Sequence, residues 1–200
     1  MGMSIKLKDV RCSFLVLAEP EYFGGSKSKP EDKRRWSATA LIPADSEQRK
    51  MVDDALRAVA KEQWPQKWET MLANILPDPK GCCWVDGARK DFDGYKGHWA
   101  LTAHRTEDKG RPLVFDNSKE PIYKPNNELY EGKAGRLFSG CYVNMQVEIW
   151  AQNNKAGKGL RATLLGIQRV RIGEAFGGGR PPDPNDFEEI AGEDDGESLS

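Results

Sequence analysis

An alternation of apolar and polar residues recurs along the chain and predicts a protein built mainly from β-strands. In segment 137–152, every second residue from Cys141 to Ile149 is apolar, and the residues between them, from Tyr142 to Trp150, are polar or aromatic. A period of two places one set of side chains in a core and the other towards solvent or a ligand. Further strands are predicted at 5–17, 35–42, 98–105, 113–115 and 160–172.

The first two predicted strands each have a face that should meet the core. Strand 5–17 is predicted to present four side chains on one face: Val10, Cys12, Phe14 and Val16. In strand 35–42 the face with the smaller residues, which includes Ala38 and Ala40, is predicted to point inward. A basic, glycine-containing loop is predicted between them at 19–33.

One region, residues 45–77, follows a helical pattern instead. Asp45 is predicted to be the N-cap, with Gln48 three residues later, and apolar residues follow at helical spacing as far as Val59. Pro65 kinks this helix or starts a second one, which ends at Pro77. The apolar stripe is expected to pack on the sheet.

This order of elements predicts an antiparallel barrel with a helical insertion after its second strand, and the OB-fold suits it best. A ferredoxin-like sandwich would need a second helix late in the chain, where the sequence has none. Gly166 interrupts the last strand and predicts a bulge or bend.

Cysteine spacing and hydropathy favour a reduced, intracellular protein. Cys82 and Cys83 are adjacent, and no two cysteines have CxxC spacing. No stretch approaches the ~18 apolar residues that a membrane span requires, and no signal peptide pattern opens the chain. We therefore predict a cytoplasmic protein without membrane contact.

Charge is divided unequally along the chain. Residues 181–200 contain eight acids and no Lys, Arg or His, so the remaining residues carry 30 basic against 23 acidic side chains, a net charge of +7. A basic body with an acidic, disorder-prone tail is typical of nucleic-acid-binding proteins whose tail mimics a polyanion. We divide the chain into a binding domain, 1–176, and a hinge with an acidic tail, 177–200. A tail that only solubilises the protein is the alternative.

Enzyme patterns are weak, and neither a cofactor nor a metal is predicted. The Gly-Lys pairs lack the rest of a phosphate-binding loop. His98 and His104 are the two histidines, too few for a zinc site without distant cysteines. A metal-dependent nuclease using Asp78, Glu107 and Lys109 is an alternative, but residues 107–110 read more simply as a hairpin turn.

Aromatic and basic residues together predict single-stranded DNA binding, because a groove needs cations for phosphates and exposed rings for stacked bases. The segment 78–97 is predicted to be a polar loop that mixes both kinds of residue. Trp36, Trp64 and Trp68 are assigned to packing. The predicted DNA contacts are Lys33, Arg35, Trp84, Arg89, Lys90, Tyr95, Lys96, Trp99, Arg105, Lys124, Tyr142 and Trp150.

The run from Phe138 to Trp150, followed by Gly159-Leu160, 167–170 and Phe176-Gly-Gly-Gly179, resembles a family of bacteriophage single-stranded DNA-binding proteins with an OB-fold and an acidic C-terminal tail, the T7-type design. The similarity is strongest over 97–179. In the T7 type the tail ends on an aromatic residue, whereas here Phe187 lies inside it.

The resemblance implies a tail that covers the groove until DNA displaces it and that then recruits a polymerase, helicase or primase. The residues assigned to this regulatory tail are Asp183, Asp186, Phe187, Glu188, Glu189, Glu193, Asp194, Asp195 and Glu197. We predict a non-enzymatic protein that coats single strands without sequence preference in phage replication, recombination and repair. The alternatives are the nuclease, or another DNA-processing enzyme, and a structural or protein-interaction barrel.

Overall fold

Seven strands and two helices are present in the computed structural model, which describes residues 2–27 and 29–177. The strands are β1 (Met3–Glu21), β2 (Arg35–Pro43), β3 (Trp84–Asp86), β4 (His98–Thr106), β5 (Leu113–Phe115), β6 (Tyr142–Asn154) and β7 (Gly157–Arg171). The helices, between β2 and β3, are α1 (Glu47–Gln63) and α2 (Trp68–Ile75). The acidic tail and the remainder of the predicted hinge lie outside the described residues.

Five strands close into a barrel in the order β1, β2, β4, β7 and β6, and β6 pairs again with β1. The pairs are antiparallel except β4 with β7, which are parallel where His104 lies opposite Thr163. The short strands β3 and β5 extend the sheet along β4 and β7. This is the strand order of an OB-fold, so the predicted mainly β barrel with a helical insertion is confirmed.

The core fills the barrel and is closed on one side by α1, which buries Val52, Ala55, Leu56 and Val59. The N-cap of α1 is Ser46 rather than the predicted Asp45, because the Ser46 hydroxyl accepts the backbone N–H of Arg49. The predicted inward face of β2 is confirmed by the complete burial of Ala38 and Ala40. Trp36 and Trp64 are buried and Trp68 is half-buried, as their assignment to packing requires.

Bulges decide which way β1 faces. Ser13 pairs with Thr39 and Val16 pairs with Ser37, so three residue steps on β1 lie opposite two on β2 and β1 has one extra residue there. Within this bulge Phe14 has φ +48°. The prediction that Phe14 and Val16 share the core face with Cys12 is therefore wrong. Phe14 points outward, and Leu17 returns to the core instead.

The bulge predicted at Gly166 is confirmed. Gln146 of β6 lies opposite Gly166, whereas the next residue, Val147, lies opposite Leu164, so Leu165 is the extra residue. A Cβ at Gly166 would make ordinary van der Waals contact with Leu113 of β5, at 3.4 Å.

Residues 78–97 are more ordered than the predicted polar loop. They contain β3, and the side chains of Cys82, Cys83 and Trp84 are buried. The turn at 107–110 is a 3₁₀ turn with Gly110 at φ +74°, but its flanking strands both pair with β7, so it does not close a hairpin. Across the described residues, no helix has the length and apolarity needed to cross a membrane.

Candidate nucleic-acid interface

A groove of about 820 Å³ crosses the outer face of the barrel. Its floor is formed by the outward side chains of β2 and β4, and one wall comes from the β1 bulge and the chain that follows β1. Most of the floor side chains are short, so an elongated polymer can approach the sheet. They are Ser37 and Thr39 on β2 and Ala100 and Thr102 on β4, and the imidazole of His104 on β4 completes the floor.

Two half-exposed rings stand at one end of the groove. Phe14 is 52% exposed and Phe92 is 50% exposed, and their ring centroids lie 4.9 Å apart in an edge-on arrangement. Tyr95 supports Phe92 from below at 5.4 Å and is only 3% exposed. Because apolar rings of this size are normally buried, their exposure together indicates a surface on which planar groups can stack.

The conformation of Phe14 is strained for a residue with a Cβ. Its φ of +48° lies in the left-handed region that glycine adopts most easily. Such conformations cost about 1 kcal/mol or more and persist where the surrounding structure imposes them. Here the β1 bulge imposes it, and the result is a phenyl ring turned from the core into the groove.

Phe23 and Trp150 add further aromatic surface to the groove. Phe23 is 81% exposed, and its ring lies 4.2 Å from the guanidinium carbon of Arg35. Trp150, on β6, is half-buried, and its indole Nε1 donates to the Thr163 hydroxyl at 3.0 Å. One edge of the indole is therefore fixed to β7 while the ring remains in the groove lining.

Four cations line the groove: Arg35, Lys80, Lys90 and Arg161. Within residues 2–27 and 29–177, none of them lies within ion-pair distance of a carboxylate. Arg161 is instead oriented by neutral acceptors, the Gln152 side chain at 2.9 Å and the Lys80 carbonyl at 2.7 Å. Cations held in place without a counter-charge are suited to bind an anion.

The titration of His104 reflects this concentration of positive charge. Burial, together with the nearby charges of Arg35, Arg161 and Lys109, lowers the pKa of His104 to about 4. The imidazole is therefore neutral at pH 7 and can accept or donate a hydrogen bond on the groove floor. Glu21 is the acidic residue among the described groove-lining side chains.

The fold brings together four of the predicted DNA contacts in this groove: Arg35, Lys90, Tyr95 and Trp150. Tyr95 is buried, however, so the expectation that it offers an exposed ring is wrong. Arg89 and Lys96 are exposed in the connection between β3 and β4 but outside the groove lining. Tyr142 lies at the opposite end of β6 from Trp150, beneath the guanidinium of Arg171.

Three other predicted cations already have partners away from the groove. Lys33 forms an ion pair with Asp108 at 2.8 Å, and Lys124 forms one with Glu128 at 3.3 Å. Arg105 donates to the carbonyls of the turn at 109–110. The contacts of Arg105 and Lys124 stabilise local turns, whereas that of Lys33 ties the segment before β2 to the turn at 107–110. None of the three residues lines the groove.

The expectation that Trp84 offers an exposed ring is wrong. It is 1% exposed, its ring packs 5.2 Å from that of Trp99, and its Nε1 donates to Asp53 of α1 at 2.9 Å. Trp99 is half-buried in the same cluster, with the guanidinium of Arg49 4.8 Å from its ring. The sequence pattern shows aromatic residues beside cations, but it does not show that α1 covers Trp84 and Trp99.

Several groove residues were not singled out as contacts from the sequence, among them Phe14, Phe23, Lys80, Phe92 and Arg161. Arg161 had a usable signal, since it is the polar residue between apolar Leu160 and Ala162 on a predicted strand. Phe14 had none, because its outward direction depends on a bulge within an otherwise regular apolar alternation.

Two residues of the nuclease alternative, Asp78 and Glu107, already have partners in the described structure. Asp78 accepts the backbone N–H of Lys80 at 2.9 Å, and Glu107 pairs with Arg34 at 2.9 Å. In the part of the chain that the structure describes, no three His, Cys, Asp or Glu side chains are grouped closely enough to hold a metal ion.

Comparison with known proteins identifies the family. The family model described as Enterobacter phage Enc34, ssDNA-binding protein, matches residues 3–198. The chain belongs to this family of phage single-stranded DNA-binding proteins. A curated relative, protein p50 of Acyrthosiphon pisum secondary endosymbiont phage 1, is 33% identical over 99% of this chain and 100% of its own length. The resemblance drawn from residues 138–179 is thereby confirmed.

Solved structures of the Enc34 family and of the T7 protein share the fold. The single-stranded DNA-binding protein of bacteriophage Enc34, in complex with ssDNA, superposes with a TM-score of 0.67 at 25% identity, covering 87% of this chain and 89% of its own. Bacteriophage T7 gp2.5, a single-stranded DNA-binding protein, gives a TM-score of 0.53 at 16% identity, covering 96% of this chain and 98% of its own. The latter similarity concerns the fold alone.

Proposed function

We propose that this chain binds single-stranded DNA in the barrel groove and coats it without sequence preference during phage replication, recombination and repair. The observation that carries the proposal is the pair of half-exposed rings, Phe14 and Phe92, beside cations that have no described counter-charge. Membership of the Enc34 family, one member of which has been solved in complex with ssDNA, supports the same conclusion.

Both kinds of contact act on features that every nucleotide shares. Guanidinium and ammonium groups attract phosphates, and phenyl or indole rings stack on any base at about 1–3 kcal/mol each. The floor hydroxyls of Thr39 and Thr102 already bond to each other at 3.0 Å, so they are partly satisfied without reading base edges. Binding is therefore expected to depend on salt more than on sequence.

Oligo-dT titration monitored by tryptophan fluorescence tests the proposal. Stacking in the groove should quench Trp150, and Trp150→Phe should remove most of the signal change while keeping the affinity within a few fold. The logarithm of the association constant should fall with the logarithm of salt by about 0.7 per phosphate neutralised. An absence of binding at low salt, by fluorescence and by gel shift, would refute the proposal.

We further propose that the protein acts by binding alone, in the cytoplasm of an infected bacterium. Incubation with a labelled oligonucleotide and Mg²⁺ tests the enzymatic alternative, since any time-dependent cleavage that requires this chain would contradict a purely binding role. Fluorescent fusion protein that remains outside the nucleoid region during phage replication would contradict the proposed location and role together.

The acidic tail is proposed to compete with DNA for the groove. The described chain supports this at its C-terminal end, where Phe176 packs against the buried cluster of Leu41, Tyr95 and Ala100. The Gly177 N–H donates to Asp93 at 3.3 Å. The described chain therefore ends at Gly177, beside the connection between β3 and β4 that carries Phe92.

Removal of residues 181–200 tests this competition. Because the eight acids lost would otherwise occupy the same positive field, truncation should tighten oligo-dT binding, most of all at low salt. A chain in which the eight acids are changed to Asn or Gln at unchanged length is the matched control and should behave like the truncation. Equal low-salt dissociation constants for all three proteins would rule out a competing tail.

Recruitment of a replication protein, a polymerase, helicase or primase, is proposed as the role of the tail once DNA has displaced it. Pull-down of the phage or host replication proteins by the full-length chain on oligo-dT, compared with the truncated chain, tests this. Equal capture of those proteins by both chains would contradict it.

A further inference from the structure

Two cysteines face each other inside the barrel wall, outside the groove. Arg11 of β1 pairs with Tyr142 of β6, so the next residues along, Cys12 and Cys141, lie opposite each other. The Cys12 N–H donates to the Cys141 carbonyl at 2.9 Å, and both side chains are completely buried. Their sulfur atoms are 3.4 Å apart, although the two residues are 129 positions apart in sequence.

This placement meets the geometric requirement of a disulfide. Opposed residues of antiparallel strands have Cα atoms about 4.5–5.5 Å apart, which lies inside the range of about 4.4–6.8 Å that disulfides use. Small rotations about the Cα–Cβ bonds can bring the sulfur atoms from contact to bonding distance. The other pair, Cys82 and Cys83, is poorly suited, because consecutive Cα atoms are only about 3.8 Å apart.

The two thiols also have different acidities. Hydrogen bonding from Cys12 lowers the pKa of the Cys141 thiol, whereas the same interaction, together with burial, raises the pKa of Cys12. In the closed barrel Cys141 is therefore the more readily ionised of the two.

We propose that Cys12 and Cys141 form an intramolecular disulfide when the chain meets a small-molecule disulfide such as oxidised glutathione. One of the two cysteines, as its thiolate, attacks one sulfur of the reagent, forms a mixed disulfide and releases one small thiolate. The other cysteine then loses its proton and attacks the protein sulfur of the mixed disulfide, which forms the protein disulfide and releases the second thiolate. Two protein thiols are oxidised, and one molecule of reagent is reduced to two thiols.

Burial determines when this reaction occurs. Neither thiol is accessible in the closed barrel, so exchange takes place during folding or when β1 separates from β6. The irregular pairing of β1 on both sides of Cys12 favours such openings. Once formed, the bond joins the first strand to the sixth and restricts the unfolded chain over a long loop, so it should stabilise the barrel.

Peptide mapping after refolding tests the proposal in a Cys82→Ser/Cys83→Ser background, where only the proposed pair remains. The chain is refolded from urea with oxidised glutathione, acid-quenched, alkylated and digested. We expect one cross-linked peptide containing Cys12 and Cys141, and a rise of about 1 M in the urea midpoint that dithiothreitol reverses. The matched control carries Cys12→Ser in addition and should show neither change.

Wild-type protein treated in the same way provides a check that needs no substitution. A cross-link between Cys12 and Cys141 in its peptide map supports the proposal even if the serine variants fold poorly. Free or glutathione-blocked Cys12 and Cys141 in the refolded wild-type protein, or cross-links only between different molecules, would overturn it. The outcome is independent of DNA binding.

Discussion

Two clusters of aromatic and basic residues draw on the same stretch of chain, residues 84–99, but they are completed in opposite ways. In the closed cluster, Trp84 and Trp99 lie beneath α1, and the Arg49 charge is met by Asp53 at 3.6 Å. In the open cluster, Phe92 meets Phe14 at the surface. The nearby groove cations have no described carboxylate partner. The open cluster therefore retains the unsatisfied ring faces and charges that a ligand can use.

The comparison shows that aromatic residues interleaved with cations do not by themselves mark a binding surface. The closed cluster has the same kinds of residue, but its rings are packed beneath α1 and its charges are paired with each other. A ring contributes to binding only if its face is accessible, and a cation only if no internal anion has neutralised it. The following variants are designed to separate the two clusters experimentally.

Removal of two groove charges should have the largest effect. Arg35→Gln with Arg161→Gln should weaken oligo-dT binding about 100-fold near 0.1 M salt, because each guanidinium is expected to contribute a charge-assisted phosphate contact. The salt dependence should become shallower by about 1.4 in log–log slope. Fluorescence titration at several salt concentrations measures both quantities.

The matched control removes two arginines that already have carboxylate partners, through Arg34→Gln and Arg57→Gln. These residues pair with Glu107 and Asp54, respectively, so the total charge change is the same. A loss of affinity equal to that of the groove variant would show that net charge, rather than the groove, drives binding.

Disruption of the closed cluster should affect stability instead. Trp84→Phe removes the hydrogen bond to Asp53 and leaves part of the ring volume empty, which should lower the free energy of unfolding by about 2–3 kcal/mol. Urea denaturation measures the loss. Oligo-dT affinity of the folded protein should stay within about twofold, because Trp84 is not expected to contact DNA. Loss of a direct contact would cost about 1 kcal/mol or more and would change the affinity by more than twofold. A large loss of affinity without a loss of stability would break the distinction between the clusters.

Disruption of the open cluster should affect DNA binding rather than stability. Phe14→Gly should weaken oligo-dT binding about tenfold through loss of one stacking ring. It should leave the free energy of unfolding unchanged or raise it by up to about 1 kcal/mol, because glycine adopts the φ of +48° without strain. Titration and urea denaturation are run on the same preparation. Ile172→Ala, which trims an exposed apolar side chain outside the groove lining, is the control and should change neither quantity.

The smallest expected effect concerns pH. The pKa of His104 is about 4 in the folded protein, below the ordinary value of 6.5, so the unfolded chain binds the proton first as the pH falls. The stability associated with neutral His104 is therefore fully present above pH 6.5 and is lost between pH 6.5 and 4. His104→Gln should reduce the loss of unfolding free energy between pH 7 and 4.5 by about 1–2 kcal/mol. An unchanged pH slope would show that His104 does not titrate in this way.

The sequence predicted the architecture well because regular alternation and helix signals are local. The period-two pattern at 141–150 identified the strand that became β6, and Pro77 was correctly placed as the end of the helical region. The site was predicted less well. Trp84 and Phe14 were each assigned to the wrong environment. Neighbouring residues do not predict that α1 covers Trp84, nor that the β1 bulge turns Phe14 outward.

Composition, charge order and hydrophobic period were sufficient for a basic β-barrel with a helical insertion and an acidic end, because each of these properties is read from neighbouring residues. The direction of each aromatic ring and the pairing of each cation were decided only when distant strands and α1 came together. Burial and charge compensation are properties of residues that are remote in sequence and adjacent in space. For that reason Arg35 and Arg161 form one groove, while Lys33 and Lys124, of the same charge, do not take part in it.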